Sequence, residues 1–274
     1  MSRCSAWFRY GAVALFALTI TWIVIASNSG VDGRWPEAPG AVQYFDGKLG
    51  VDASNISEGY FTAWATGGAK RLKLRVSRGQ DTFTYDLNTE GRQEVFPLQL
   101  GSGGYEISLY ENISGKKYAQ AGVIGVNASF SREDVPFLYP NVYVNYGADS
   151  PAVAKADELC ADKSPKEAYQ AICDYIQTEY VYDFIKAVTV SPGELPDIQG
   201  CFEKKMGICQ DLSAMMVAML RSQGISSRLM IGYADANYHA WTSTNIDGEE
   251  LFYDPTAALN AIAVPSEYSL ERYY

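Results

Sequence analysis

Apolar and polar side chains alternate at every second position through much of the N-terminal half. The alternation is clearest at 71–76, 82–87 and 105–109, and clusters of Gly, Asn and Ser separate such stretches. A period of two is typical of strands with one buried face, and regularly spaced turn signals are typical of an antiparallel β-sandwich. We therefore predict an all-β, sandwich-like domain over residues 30–146, with the role of a spacer or a binding module. Its last segment, 136–146, is aromatic and bounded by prolines, and we predict a packed boundary strand there.

Beyond residue 146 the apolar period becomes that of an α-helix. Ser164 and Pro165 form a typical helix start, and an apolar stripe that includes Cys173 follows them. A second stripe predicts a helix from Cys209 to Ser222, ended by Gly224. We therefore expect residues 147–274 to be an α+β domain of helices packed on an antiparallel sheet. The predicted strands of that sheet are 226–234, 238–246 and 250–254.

The first residues have the layout of an export segment. Within 1–29, two arginines come first, then an uninterrupted apolar run over 10–26, then small residues. As a helix this run would be about 25 Å long, near the lower limit for a membrane span. The same order describes a secretory signal peptide. We expect an extracellular or cell-surface protein, whether the segment is cleaved or kept as an anchor, with membrane contact only through it.

Charge and cysteine content narrow the function further. The formal net charge is −10 and the basic residues are scattered, which argues against binding of nucleic acid. One histidine and the absence of Cys-x-x-Cys pairs or an acidic calcium loop predict no metal and no cofactor. Cys4 belongs to the N-terminal segment. If Cys209 is a free nucleophile, two alternatives stay open, one disulfide or only buried free thiols among Cys160, Cys173 and Cys201.

The single histidine, His239, is the only candidate base for cysteine chemistry. Cys209 lies at a predicted helix start, where the positive end of the helix dipole favours a thiolate. A turn signal at 245–248 joins the predicted strands that carry His239 and Asp254. A four-residue loop places Asp254 directly opposite His239, whereas a two-residue turn at 247–248 places it diagonally, opposite Trp241. Both registers put the two side chains on one face within hydrogen-bond reach, so a carboxylate could orient the base.

Five short stretches carry a family resemblance, namely Gly207–Cys209, Met219–Ile225, Ile231–Tyr233, Tyr238–Trp241 and Tyr253–Thr256. With them, the chain from Ser164 onward resembles the transglutaminase-like superfamily, a papain-related cysteine fold. The resemblance implies acyl transfer with Cys209 as nucleophile, His239 as base and Asp254 as the orienting carboxylate. It also implies an oxyanion donor upstream of the cysteine, for which Gln199 and Tyr182 are the candidates. Trp241 is expected to wall the site.

The sequence thus predicts an exported cysteine enzyme that acts on a peptide or protein amide through a thioester. Its substrates could include proteins associated with the cell wall. Hydrolysis by a peptidase or deamidase is slightly favoured over transglutaminase cross-linking, because water is always present and no residue marks an amine-acceptor site. The alternative is a non-catalytic cell-surface binding or adhesion protein that uses the fold as a scaffold. Substrate identity and oligomeric state do not follow from the sequence.

Overall fold

The computed structural model describes residues 34–66, 70–261 and 263–274. The predicted export segment 1–29, with Cys4, lies outside the described residues. Within the described part of the chain, no helix has the length and apolar character needed to cross a membrane.

Two four-stranded antiparallel sheets form the N-terminal region, one in the order β1-β2-β3-β6 and the other in the order β5-β4-β7-β8. Their alternating residues meet in a shared core, where the ring of Tyr85 packs edge-on against Phe96 of the other sheet at 5.1 Å. The predicted alternation is confirmed, since Leu72, Leu74 and Val76 are buried between more exposed neighbours. The strands are β1 (Gln43–Asp46), β2 (Leu49–Asp52), β3 (Tyr60–Ala65), β4 (Leu72–Arg78), β5 (Asp81–Leu87), β6 (Glu94–Pro97), β7 (Gly103–Ser114) and β8 (Lys117–Ala128).

The segment 136–146 packs as predicted but is not a strand. A short 3₁₀ helix covers Val135–Leu138, and the chain then runs irregularly although most of its side chains are buried. Pro136 and Pro140 have no N–H to donate to a strand ladder, which explains why the predicted strand does not form. The segment instead packs through rings, and Tyr143 stacks on Tyr274 with 3.6 Å between the ring centroids.

The C-terminal region places helices against a four-stranded antiparallel sheet in the order β13-β12-β11-β14, beside a small parallel pair of β9 and β10. Its helices are α1 (Pro151–Cys160), α2 (Pro165–Glu179), α3 (Phe184–Thr189), α4 (Ile198–Lys204), α5 (Cys209–Ser222) and α6 (Pro255–Ala258). Its strands are β9 (Val181–Tyr182), β10 (Met206–Gly207), β11 (Ser227–Ala234), β12 (Asn237–Ile246), β13 (Glu249–Tyr253) and β14 (Tyr268–Tyr273).

Helix α5 is the central element of this region. It begins at Cys209 and ends at Ser222, as predicted, and Gly224 beyond it has a φ of 69° that suits a glycine at a helix end. The predicted apolar stripe is wider than expected, because every residue from Asp211 to Ser222 is buried. Helices α1, α2 and α4 pack against α5, and strands β11 and β12 also contact it. A helix enclosed in this way can hold its N-terminus in a fixed position.

The predicted α+β fold class is confirmed, with a β-rich N-terminal region ahead of the helices and the third sheet. Most buried apolar side chains of the two regions belong to one continuous cluster, and a small separate cluster consists of Tyr60, Val135, Leu138 and Tyr139. The proposed division into domains 30–146 and 147–274 therefore follows the change in secondary structure and not a gap between two cores.

Candidate active site

Cys209 occupies the first position of α5, and close packing fixes the turn that leads into it. A Cβ on Gly207 would lie 2.7 Å from Cys201 Sγ and 2.9 Å from Asp211 Cβ, so only glycine fits there. The N–H of Ile208 donates to Asp211 Oδ2 at 3.1 Å, so that this carboxylate caps the helix from its third residue. The Cys209 thiol consequently lies at the positive end of a buried helix.

His239 and Asp254 form a buried hydrogen-bonded pair. His239 Nε2 lies 2.8 Å from Asp254 Oδ2, and each residue is only 6% exposed. A turn joins the two strands that carry the pair. It has the two-residue form, with φ values of 54° at Asp247 and 86° at Gly248. Strands β12 and β13 pair Ile246 with Glu249 and Thr242 with Tyr253. Asp254 comes directly after Tyr253 and therefore lies diagonally opposite His239.

Both carboxylate oxygens of Asp254 are fully used. Oδ2 accepts from His239 and from the hydroxyl of Tyr268, each at 2.8 Å. Oδ1 accepts from the backbone N–H groups of Thr256 and Ala257, because Asp254 is the N-cap of α6 and Pro255 is its first residue. Four donors hold the carboxylate in one orientation.

The electrostatics of the pair favour a charged histidine. Burial alone would lower the pKa of His239, but hydrogen bonds to Asp254 and to Cys209 raise it to about 9. Burial alone would raise the pKa of Asp254, but the hydrogen bond and positive charge of His239, with the Tyr268 and Ala257 donors, hold it below its usual range. Nε2 is committed to Asp254, so Nδ1 is the ring nitrogen left for the thiol of Cys209. The arrangement can hold a proton on the imidazole ring of His239.

The three predicted accessory residues have different outcomes. Trp241 is buried, and its ring lies nearly parallel to that of His239 with 6.4 Å between centroids. The phenol of Tyr182 lies beside Cys209, whose backbone N–H and thiol both influence its pKa, and burial raises that pKa to about 12. Gln199 is exposed and its amide donates to Glu203 on the outer face of α4. The structure thus brings Tyr182 to the thiol, whereas the amide of Gln199 is engaged elsewhere.

Two polar features of the site are absent from the sequence prediction. Tyr268 comes from β14, a strand whose pairing with β11 is interrupted by a register shift after Ile231, so its alternation is hard to recognise. Asp211 is fully buried and forms an ion pair with Lys186 Nζ at 2.8 Å. An acidic residue at the third position of a helix is the sequence signal that could have marked Asp211 as a cap.

Among the described residues, the cysteines outside the site are free thiols. Cys160, Cys173 and Cys201 are buried and unpaired, which decides between the two alternatives left open by the sequence. Burial raises the pKa of the Cys160 thiol to about 11 and that of Cys173 to about 12, so both stay protonated at neutral pH. Among the described residues, no group of three or more His, Cys, Asp or Glu side chains has an arrangement that could hold a metal ion.

Residues 154–254 match the family model described as the Transglutaminase-like superfamily. This segment of the chain is therefore a transglutaminase-like domain, as the sequence motifs indicated. It contains Cys209, His239 and Asp254, and the match ends at Asp254. Among curated proteins, none matches the sequence.

Several solved structures are similar to this chain at low identity. A proposed cysteine protease from Cytophaga hutchinsonii is 15% identical with a TM-score of 0.41, over 85% of this chain and 90% of that one. The periplasmic domain of TgpA from Pseudomonas aeruginosa is 14% identical with a TM-score of 0.38, over 81% of this chain and 79% of that one. Red sea bream transglutaminase is 14% identical with a TM-score of 0.28, over 72% of this chain and 48% of that one. Likenesses of this size carry no information about activity.

Proposed function

We propose that this protein is a cysteine enzyme that cleaves or transfers the acyl group of a peptide or protein amide. The observation that carries the proposal is the buried His239–Asp254 pair at 2.8 Å, with Cys209 close enough to raise the pKa of the histidine further. A nucleophile, a base and an orienting carboxylate are the three groups that thiol-based acyl transfer requires. A scaffold protein has no need to bury a charged pair, because such burial costs free energy unless every partner is in place.

The proposed reaction begins with a proton on His239 and a thiolate on Cys209. The thiolate sulfur attacks the carbonyl carbon of the amide, and the carbonyl oxygen becomes a tetrahedral oxyanion. When the C–N bond breaks, His239 gives its proton to the departing nitrogen, and a thioester to Cys209 remains. Water or a second amine then attacks the thioester and gives a proton to His239, and the C–S bond breaks. This releases the acid or the new amide and restores the thiolate of Cys209 beside the protonated His239.

Two groups beside Cys209 can stabilise the oxyanion. The backbone N–H of Cys209 is the first donor, since it lies at the unsatisfied end of α5. The phenol of Tyr182 is the second, because its hydroxyl is a donor at neutral pH and its residue pairs with Gly207, two residues before Cys209. Tyr182 reaches this place through β9, whose pairing sets Tyr182 opposite Gly207. We infer that Tyr182, not Gln199, fills the donor role implied by the family resemblance.

Hydrolysis is the favoured outcome, and export to the cell surface or beyond is the proposed location, on the strength of residues 1–29. A competition experiment tests the reaction. The full chain is incubated with glutamine-containing peptides and with a fluorescent primary amine, and the products are separated by mass spectrometry. Peptide cleavage or ammonia release that is lost in Cys209→Ser supports hydrolysis, whereas amine incorporation would show a transferase. If the wild-type chain and Cys209→Ser give the same products, the enzyme proposal is wrong.

A further inference from the structure

Helix α3 and its flanks form an exposed apolar surface. We define the α3 surface as Val181, Phe184, Ile185, Val188 and Leu195. Ile185 is 78% exposed and Val188 is 85% exposed, and no residue of α3 is buried. Large apolar side chains grouped on the outside of a protein mark a surface that something else covers.

Hydrogen bonds hold this surface beside Cys209. The N–H of Asp183, at the start of α3, donates to the carbonyl of Gly207 at 3.0 Å. The amide of Gln210 donates to the carbonyl of Glu194 at 3.2 Å, on the far side of α3. Lys186 adds its ion pair with Asp211. The bonds reach the chain both before and after Cys209, so the position of α3 relative to the thiol is fixed.

The α3 surface is also continuous with the reacting groups. The ring of Phe184 packs edge-on against Tyr182 with 5.0 Å between centroids, and Tyr182 pairs with Gly207, two residues before Cys209. The charged group of Lys186 is engaged by Asp211, and the carboxylate of Asp183 caps α3 by accepting from the N–H of Lys186. The surface next to the nucleophile is therefore apolar, with its nearest charges already paired or hydrogen-bonded.

We propose that the α3 surface binds large apolar side chains of an extended peptide substrate whose reacting amide lies at Cys209. This inference rests on the proposed function and names its substrate class. A six-residue helix is about 9 Å long, and an extended peptide advances about 3.3 Å per residue. The surface therefore selects apolar residues within about three positions of the reacting amide.

Binding can be tested apart from catalysis. Fluorescein-labelled peptides of equal length, with a central glutamine flanked by leucines or by serines, are titrated against the full chain carrying Cys209→Ser. The leucine peptide should bind about tenfold more tightly, because its side chains leave water for the α3 surface. Adding Ile185→Ser and Val188→Ser should reduce that preference to about threefold or less. Ile113→Ser, at a residue 62% exposed in β7, is the matched control and should leave the preference unchanged.

Equal affinity for the two peptides would overturn the inference, and so would a preference that survives both α3 substitutions. A change of oligomeric state by light scattering, with the preference intact, would assign the surface to a second copy of the chain and would also overturn it. Turnover of p-nitrophenyl acetate, which is too small to reach α3, tests the proposed function separately. It should be lost in Cys209→Ser and be the same in the wild-type chain and in the Ile113→Ser control.

Discussion

The two regions of this protein treat buried charge differently. Among the described residues of the N-terminal sheets, Asp52 is the only charged residue that is buried. Its carboxylate accepts hydrogen bonds only from Gly40 and Ser54, which lie nearby in the chain. The C-terminal region buries Asp211, Arg221, His239 and Asp254. Each of these four contacts a residue on a different element. The buried charge of the N-terminal region thus holds nearby parts of one loop together. The buried charges of the C-terminal region join separate secondary-structure elements.

The contrast shows where the fold accepts an energetic cost for chemistry. Taking a charge out of water is unfavourable unless its partners are all present, and strongly shifted pKa values tend to collect at functional sites. The N-terminal sheets achieve stability through apolar side chains, so substitutions of their one buried carboxylate should be mild. Substitutions of the C-terminal charges should affect turnover, stability and pH dependence in distinct ways.

The largest contrast is expected in turnover. His239→Ala removes the only base and should lower turnover of p-nitrophenyl acetate by about 10⁴-fold. Asp52→Asn is the matched change in the N-terminal region and should leave turnover within about twofold, since Asp52 only ties a loop. Steady-state kinetics of the two variants measure both effects. A loss below tenfold for His239→Ala would remove the distinction between the regions.

Arg221 should give the largest loss of stability. Its guanidinium donates to the carbonyls of Ser227, Tyr139 and Tyr274 at 2.7–2.8 Å, and it is completely buried. Arg221→Met removes the guanidinium donors of three buried carbonyls, of which that of Tyr274 still accepts from the N–H of Leu229. We expect the free energy of unfolding to fall by about 3 kcal/mol. Asp52→Asn should cost about 1 kcal/mol. Urea unfolding measures both, and an equal or smaller loss for Arg221→Met would contradict the comparison.

The pH dependence of stability should report on the histidine pair. The folded-state pKa of His239 is about 9, above the unfolded value of about 6.5, so the folded chain holds this proton more tightly. The contribution of this shift to the free energy of unfolding is fully present below pH of about 6.5. It is lost as the pH rises through about 9, and the loss is at most about 3 kcal/mol. The lowered pKa of Asp254 adds a loss at the acid end, below pH of about 4.

Urea titrations at several pH values follow this change, and His239→Gln provides the control. The substitution should flatten the free energy of unfolding between pH of about 6.5 and 9, because the group that titrates there is gone. If the variant keeps the full slope of the parent chain, a different group is responsible.

A smaller effect is expected at Tyr268. Tyr268→Phe removes one of the four donors to Asp254, so the carboxylate should attract the His239 proton more strongly and raise its pKa by about half a unit. The basic limb of the pH–rate profile should move upward accordingly, with turnover changed only severalfold. Tyr238→Phe, at a side chain 56% exposed, is the matched control. No shift, or a downward one, would show that Tyr268 only packs against the site.

Secondary structure can be predicted from this sequence where the apolar period and the turn residues agree. The apolar period predicts helix α5 to its end residues. The Asp247–Gly248 turn is one of two registers that the turn signal allows, and both place Asp254 on the face of His239. Tyr268 was missed because the register shift in β14 weakens its alternation. Helix α3 has no buried face, so its sequence lacks the apolar period that predicts a helix. The prolines of 136–146 were visible, and their missing N–H groups should have ruled out a strand.

The most direct test of the account is whether His239 activates Cys209. Iodoacetamide alkylates the thiolate and not the thiol, so the full chain is labelled at pH 6 and each cysteine is quantified by peptide mass spectrometry. Cys160, Cys173 and Cys201 are buried and act as internal controls. We predict that Cys209 is labelled at least about tenfold faster in the parent chain than in His239→Ala. Equal labelling rates of Cys209 in the two chains would contradict the proposed ion pair and, with it, the catalytic role.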